Sequence, residues 1–224
     1  LDKIYLTASG GPFSNLALQK FKKIKPKQAL NHPNWRMGKK ISIDSATMIN
    51  KVYEVIEAKN IFNISYKNIN ILLHSSSYIH AILKFKNGLI KLIAHDTNMK
   101  IPIFNTLYFN KFKQLASEEL NINILNNLKF NVPDERRFPM IKLLKLLPVK
   151  NSLYETVIVS ANDCLVELFL KEKIGFSSIQ KELFKIIKLK EFVKYKKKFP
   201  NKAEDILNLN NYVRLKLLKK VYKT

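Results

Sequence analysis

Residues 40–58 read KISIDSATMINKVYEVIEA. The alternation at 41–43 predicts a short strand. Asp44 and Ser45 then offer cap side chains to a helix running to about Phe62. Met48, Val52, Val55 and the stem of Lys59 follow a helical spacing. A strand entering a helix whose start carries Ser45 and Thr47 turns unpaired N–H groups and a positive dipole end toward an anion. Asn50 and Lys51 stand about one turn further on, where Lys51 adds a point charge. Asn50, Glu54 and Glu57 lie at i, i+4 and i+7 and share one face. A carboxylate beside a phosphate-binding end is a place for Mg²⁺ or Mn²⁺. The same pattern also reads as a solvated helix face with both glutamates paired to lysines.

Working outward, Ile4 to Thr7 is a short strand that runs into the Gly10-Gly11 turn. Residues 69–73 form another strand. Residues 78–85 and 89–94 flank Lys86-Asn87-Gly88, a hairpin turn signal. Strands and helices mix with at least one antiparallel pair, which predicts an α+β domain with a mixed sheet. From Phe138 onward the periodicity is helical at 140–147, 157–169, 179–187, 203–207 and 212–221, punctuated by Pro139, Pro148 and Pro200. This predicts an all-α C-terminal helical bundle. The division expected is 1–105 for the α+β domain, 106–133 for a connecting segment and 134–224 for the bundle.

Composition narrows the class. Hydrophobic residues make up 46% of 224 and charged residues 25%, an ordinary globular mixture that excludes a disordered chain or a collagen. No apolar run approaches the roughly 20 residues that cross a bilayer, so neither a membrane span nor a membrane partner is expected. The single cysteine, Cys164, excludes internal disulfides and fits a reducing compartment. The net charge of +23 points to polyanions. Its make-up does not point to a selected nucleic-acid surface. Of the 40 basic residues 36 are Lys and 4 are Arg, beside 23 Asn and 25 Ile. Lys, Asn and Ile share AT-rich codons, whereas Arg is the residue for bidentate phosphate and guanine contacts. The densest cluster, Lys194 to Lys198 beside Tyr195 and Phe199, reads as a solvated face; its alternative is a basic nucleic-acid-binding module.

Two further stretches carry chemistry. In LTASGGPF, residues 6–13, a strand ends in Ser9-Gly10-Gly11. This lets backbone approach a ligand and presents a hydroxyl and N–H groups that suit a phosphate or polyol; a plain tight turn reads the same way. In HPNWRMG, residues 32–38, His32, Trp35, Met37 and Gly38 crowd unlike groups together. Trp35 and Met37 suit the covering of a small substrate, and His32 suits proton transfer or hydrogen bonding. A loop whose Trp caps a small core is the plainer reading.

Taken in order, LTASGGPF, HPNWRMGKKISIDSATMINK, IEAKNIF, the Ile101-Pro102-Ile103 and Arg137-Phe138-Pro139 segments and SANDCLVELFLKEKIGF at 160–176 resemble 1-deoxy-D-xylulose 5-phosphate reductoisomerase. The resemblance runs from about Lys3 to the end. It implies an NADPH- and divalent-metal-dependent enzyme that isomerises 1-deoxy-D-xylulose 5-phosphate and reduces it to 2-C-methyl-D-erythritol 4-phosphate, in isoprenoid precursor biosynthesis. By that resemblance Ser9, Ser45, Asn50 and Lys51 bind the substrate phosphate. His32 is a catalytic residue that also binds substrate, Trp35 binds and covers the substrate, Glu54 is a catalytic residue that binds substrate and is the metal ligand, His80 is a second catalytic histidine, and Gly38 lies near the nicotinamide cofactor. It also implies a homodimer, in the cytoplasm of a bacterium or the stroma of a plastid.

The family's Gly-rich nucleotide-binding domain and an acidic segment with the remaining metal carboxylates have no counterpart here. Both are expected to precede Leu1, which makes the chain a fragment that is inactive alone. A non-catalytic remnant is the other reading. Three positions depart from the family pattern: His74-Ser75-Ser76-Ser77 replaces His-Pro-Gln-Ser, Lys51-Val52-Tyr53-Glu54 replaces Lys-Gly-Leu-Glu, and Thr97-Asn98-Met99 replaces Pro-Asp-Met. Asp163, the acidic residue after Asn162, is expected to be structural.

Overall fold

The computed structural model describes residues 1–31, 37–109 and 113–221. Strand β1 (Lys3–Ala8) is followed by a 3₁₀ turn at Gly11–Phe13, another at Leu18–Lys23, and the short helix α1 (Pro26–Ala29). Helices α2 (Lys39–Thr47) and α3 (Ile49–Phe62) lead to β2 (Ile69–Leu73), β3 (Ile79–Lys84) and β4 (Ile90–Ala94). Beyond the sheet come α4 (Lys100–Leu107), α5 (Ile122–Asn126), a 3₁₀ turn at Pro139–Lys145, α6 (Leu153–Leu170), α7 (Phe176–Ile186), α8 (Lys190–Val193) and α9 (Ala203–Val221). The sheet is mixed, in the order β2-β1-β3-β4, with β1 and β2 parallel and the other pairs antiparallel. Among the described residues no strand follows Phe138, so the expected α+β part followed by helices is the observed architecture.

One expectation fails. Residues 41–43 are not a strand but the middle of α2, and Asp44 and Ser45 cap nothing. Three alternating residues cannot separate the two periods. Gly38 takes the N-cap position, and the Ser42 hydroxyl donates back to the Gly38 carbonyl at 3.0 Å. Ile43 and Ala46 are thereby buried against the rest of the core. The helix stops at Met48, whose left-handed φ of 65° is unusual for a residue with a long side chain, and α3 starts anew at Ile49. The positive helix end therefore belongs to α3, with Asn50 and Lys51 in its first turn and no side chain capping it. A second difference is smaller: 203–207 and 212–221 are one continuous helix.

The hairpin forms as its sequence dictates. Gly88 has φ 87°, its N–H donates to the Phe85 carbonyl, and Phe85 N–H pairs with Leu89. A left-handed glycine closing such a turn lets the strands keep their twist.

Two apolar clusters hold the elements together. The smaller packs Ile4, Ile69 and Ile71 of the sheet against Met48, Val55 and Ala58, with Phe138 closing it. The larger centres on α6, buried on nearly every side, and takes in α7 and α9 residues together with Phe13, Phe21, Ile43, Ile49 and Val52 from the first part of the chain. Four rings, Phe13, Phe21, Phe169 and Phe176, meet edge to face at 5.3–6.1 Å, a geometry that adds to their burial. Ser152 and Glu155 form a capping box that starts α6. Arg137 donates to the carbonyls of Phe13 and Leu16 at 2.9 and 2.5 Å, which pins the glycine turn after β1 to the segment ahead of the bundle.

Candidate functional site

The end of β1, the α2–α3 junction and the start of β3 enclose a cavity of about 480 Å³. Seven residues singled out in the sequence line it: Ser9, Met37, Ser45, Asn50, Lys51, Glu54 and His80. Gly38 does not, although Met37 beside it does. His32 and Trp35 lie outside the described residues. Glu57, the other carboxylate of the α3 face, is exposed and takes no part in the lining. Thr7, Ala8, Ile41, Met48, Ser77 and Met99 complete the wall and were not anticipated as site residues. Of these Ser77 and Met99 carried a sequence signal, in the His-Ser-Ser-Ser and Thr-Asn-Met departures; Ser77 sits at a left-handed φ of 56°.

Ser9 reaches the cavity because the chain turns sharply behind it. Its hydroxyl accepts from the Gly11 N–H at 3.1 Å. Gly10 and Gly11 have φ of 86° and 65°, and a Cβ on Gly11 would sit 3.1 Å from the Ala46 Cα and 3.2 Å from the Ser45 carbonyl oxygen. Glycine is required there on both counts, and it brings the serine turn against the helix that carries Ser45.

Glu54 organises the first turns of α3. Asn50 Nδ2 donates to one carboxylate oxygen at 2.8 Å and Lys51 Nζ to the other at 2.5 Å. Lys51 is only 13% exposed, so its charge meets little bulk water. A mostly buried ammonium at a helix N-terminus favours an incoming anion.

His80 is half-buried and stacked on His95, with ring centroids 3.6 Å apart and planes 10° from parallel. Burial first, and then His95, lower its pKa to about 4, so the ring is neutral at physiological pH. Because a carbonyl only accepts, the 3.2 Å contact from His80 Nε2 to the His95 carbonyl puts the proton on Nε2. His74 is used differently. It is buried, stacks on Phe130, and bonds the Lys129 carbonyl through Nδ1 at 2.9 Å and the Ser76 hydroxyl through Nε2 at 2.8 Å. The His-Ser-Ser-Ser segment is thus anchored by its histidine.

Behind the cavity wall lies a polar cluster in which Asp44 and Asn162 are buried and Lys40 and Asp163 reach solvent. Asp44 bonds Lys40 Nζ at 2.6 Å and accepts from Asn162 Nδ2 at 2.8 Å. Lys40 also reaches Asp163 at 3.0 Å. Burial pushes the Asp44 carboxyl up, and the bonds from Lys40 and Asn162 oppose that shift.

The Lys194 to Lys198 cluster is elsewhere. Lys194 and Lys198 lie over the Tyr195 ring and Lys196 over Tyr154, and none of these lysines lines the cavity. Among the described residues no three His, Cys, Asp or Glu side chains gather into a metal-binding group. Nor is any helix long and apolar enough to cross a membrane.

Comparison with known proteins gives a consistent result. Residues 1–62 match the model of the 1-deoxy-D-xylulose 5-phosphate reductoisomerase C-terminal domain, and residues 95–216 match that of the DXP reductoisomerase C-terminal domain. The 1-deoxy-D-xylulose 5-phosphate reductoisomerase of Pelagibacter ubique is 58% identical over 216 residues, which is 96% of this chain and 56% of that protein. That of Persephonella marina is 39% identical over 207 residues, 92% of this chain and 54% of that protein. A DOX-P reductoisomerase crystallised with NADPH, fosmidomycin and magnesium superposes with a TM-score of 0.90 at 31% identity, over 99% of this chain and 55% of its own. The Zymomonas mobilis enzyme in complex with NADPH gives 0.84 at 33% identity, over 99% of this chain and 56% of its own. The chain spans about half the length of the curated relatives it matches. With family models matching residues 1–62 and 95–216, on either side of strands β2 to β4, the chain belongs to the family of 1-deoxy-D-xylulose 5-phosphate reductoisomerase C-terminal domains.

Proposed function

We propose that this chain supplies the substrate-phosphate site and the helical C-terminal part of a reductoisomerase that converts 1-deoxy-D-xylulose 5-phosphate to 2-C-methyl-D-erythritol 4-phosphate with NADPH. The observation that carries the reading is the convergence of Ser9, Ser45, Asn50 and Lys51 on one cavity at the N-terminus of α3. Two hydroxyls, a carboxamide and a shielded ammonium offer directional donors to a phosphate, and the helix end adds its dipole. Holding the phosphate fixes the carbon skeleton along the cavity, toward His80. A neutral His80 hydrogen-bonds substrate oxygens without adding charge. His32 and Trp35 are assigned to substrate by the family resemblance alone.

NADPH and magnesium accompany the solved reductoisomerases. As a metal site, the described residues fall short. Glu54 is one carboxylate, and both its oxygens already accept from Asn50 and Lys51. Hard divalent cations take several oxygen ligands, more than Glu54 alone supplies. Gly38 is assigned to the cofactor. Its φ is −61°, and a Cβ there would meet nothing within 4 Å, so the fold itself does not demand glycine at that position. A second copy of the chain is the expected protein partner; Leu89, Ile90, Leu92 and Ile93 on and beside edge strand β4 are all exposed.

The test is titration of the chain with 1-deoxy-D-xylulose 5-phosphate and with inorganic phosphate, followed by amide shifts of residues 45–54. Competing saturation is expected at one site. Lys51→Ala removes a charge-assisted bond of about 1.5–3 kcal/mol, a weakening of roughly tenfold to a hundredfold. Equal affinity of the variant would overturn the assignment. For the complete reaction, the N-terminal part of the Pelagibacter enzyme is fused ahead of Leu1. NADPH oxidation is expected from the fusion and not from the 224-residue chain.

A further inference from the structure

We propose that Asn162, on the central helix of the bundle, is a positioning residue for the anion-binding end of α3, acting through the Asp44 carboxylate. The inference rests on the phosphate-site reading above and adds to it a residue 118 positions away in sequence. Asn162 and Asp44 are essentially unexposed, at 0% and 1%. Their 2.8 Å bond joins α6 to α2, and the Lys40 contacts to Asp44 and Asp163 close a second link between the same two helices. Asp44 immediately precedes Ser45, which lines the cavity, and lies four residues before the left-handed Met48 from which α3 departs. A helix turn is stiff. Fixing Asp44 therefore sets the rotation of Ser45 and the place where the Asn50-Lys51 turn begins.

The cluster touches α3 directly as well. The Tyr53 hydroxyl is buried beside the Asn162 carboxamide, and the Tyr53 ring lies under Lys40 Nζ at 5.4 Å. A carboxamide is suited to this place because it donates toward Asp44 and offers an acceptor on its other side. Stability alone does not call for such a cluster. Taking a carboxylate out of water is costly, and well-packed apolar side chains of similar volume serve a core at least as well. What a directional bond adds is registry: the apolar contact of Ile43 and Ala46 with the bundle tolerates small slides that a 2.8 Å hydrogen bond does not.

The experiment uses the 224-residue chain and inorganic phosphate, with amide hydrogen exchange read in parallel. Asn162→Asp sets two carboxylates against each other. Phosphate affinity is expected to fall at least about fivefold, with exchange at residues 45–51 faster than in α7 and α9. The Asp44→Asn, Asn162→Asp double variant restores one donor and one acceptor and is expected to recover most of the affinity. If Asn162→Asp does not fold, Asn162→Ser carries the same measurements, since it removes the reach of the donor without adding charge. Unchanged affinity with unchanged exchange at 45–51 would overturn the proposal, and so would a uniform loss of protection through the whole chain. If the parent chain binds no phosphate, the reading of the cavity fails, while the local or uniform pattern of exchange still decides the role of Asn162.

Discussion

Lys51 Nζ lies 2.5 Å from Glu54 Oε2, one helical turn along α3. The cavity's ammonium therefore meets any incoming anion already partnered, and a phosphate must compete with a carboxylate for it. Asn50 holds the other Glu54 oxygen, so the three side chains form one hydrogen-bonded unit rather than three independent ligands. Glu54→Gln keeps the shape and removes the competing charge. Inorganic phosphate is expected to bind the 224-residue variant about threefold to tenfold more tightly, in keeping with the modest worth of a partly exposed ion pair. Calorimetric titration measures it. Weaker binding would mean that Glu54 serves the phosphate by orienting Lys51 more than it opposes it by charge.

His80 sets a pH dependence of definite sign. An unfolded histidine takes its proton near pH 6.5, whereas His80 in the folded chain resists it down to about 4, through burial first and then its neighbour His95. Above pH 6.5 neither state is protonated and the group contributes nothing to the pH dependence. As pH falls from 6.5 toward 4 the unfolded state binds a proton that the folded state refuses, so stability declines. Urea unfolding at pH 7 and pH 5 is expected to show this decline, and His80→Asn to flatten it. In an NMR titration the His80 ring resonances are expected to stay flat above pH 5. A midpoint near 6.5 would show that the stack with His95 does not exclude the proton.

Gly11→Ala tests the close approach behind Ser9. The new methyl meets the Ala46 Cα and the Ser45 carbonyl, both of them backbone, at a residue with φ of 65°. Strain of that kind costs on the order of 1–3 kcal/mol. A lower Tm is expected together with weaker phosphate binding, because relief requires the serine turn and α2 to separate. Loss of stability with full phosphate affinity would place Ser9 outside the binding unit.

Much of this was legible in the sequence where the signal is local. The Asn87-Gly88 hairpin and the strands at 4–7 and 69–73 follow from turn chemistry and runs of branched residues, and the body of α6 follows from its long apolar pattern at 157–169. Residues 41–43 failed because Ile-Ser-Ile satisfies a strand and a helix equally over so short a span. The break at Met48 failed for another reason: no glycine or asparagine marks a left-handed residue there, and the packing of Met48 between sheet and helix holds it in place. Of the candidate site, the groups on β1 and α3 were readable through motif order. The Asn162 to Asp44 bond was not, since nothing in either segment indicates which distant helix will answer a buried carboxylate.

The segment 106–133 is the place to ask whether sheet and bundle are separable. Its described residues carry the end of α4 and the short α5, and are exposed for most of their length between 113 and 127. A protease is expected to cut there first, because cleavage needs a stretch of backbone that leaves its contacts easily. Separation of the products is a different matter. Phe13, Phe21, Ile43 and Val52 share one apolar cluster with α6 and α7, Arg137 bonds the carbonyls of Phe13 and Leu16, and Asn162 bonds Asp44. The contacts that cross the cut are thus both apolar and directional, and they do not depend on the peptide link. Brief trypsin treatment is expected to give two bands on a denaturing gel and a single peak of unchanged volume on a sizing column, with phosphate binding retained. Two peaks on the column would show that the α+β part and the bundle stand as independent units, and that the shared cluster is weaker than its burial implies.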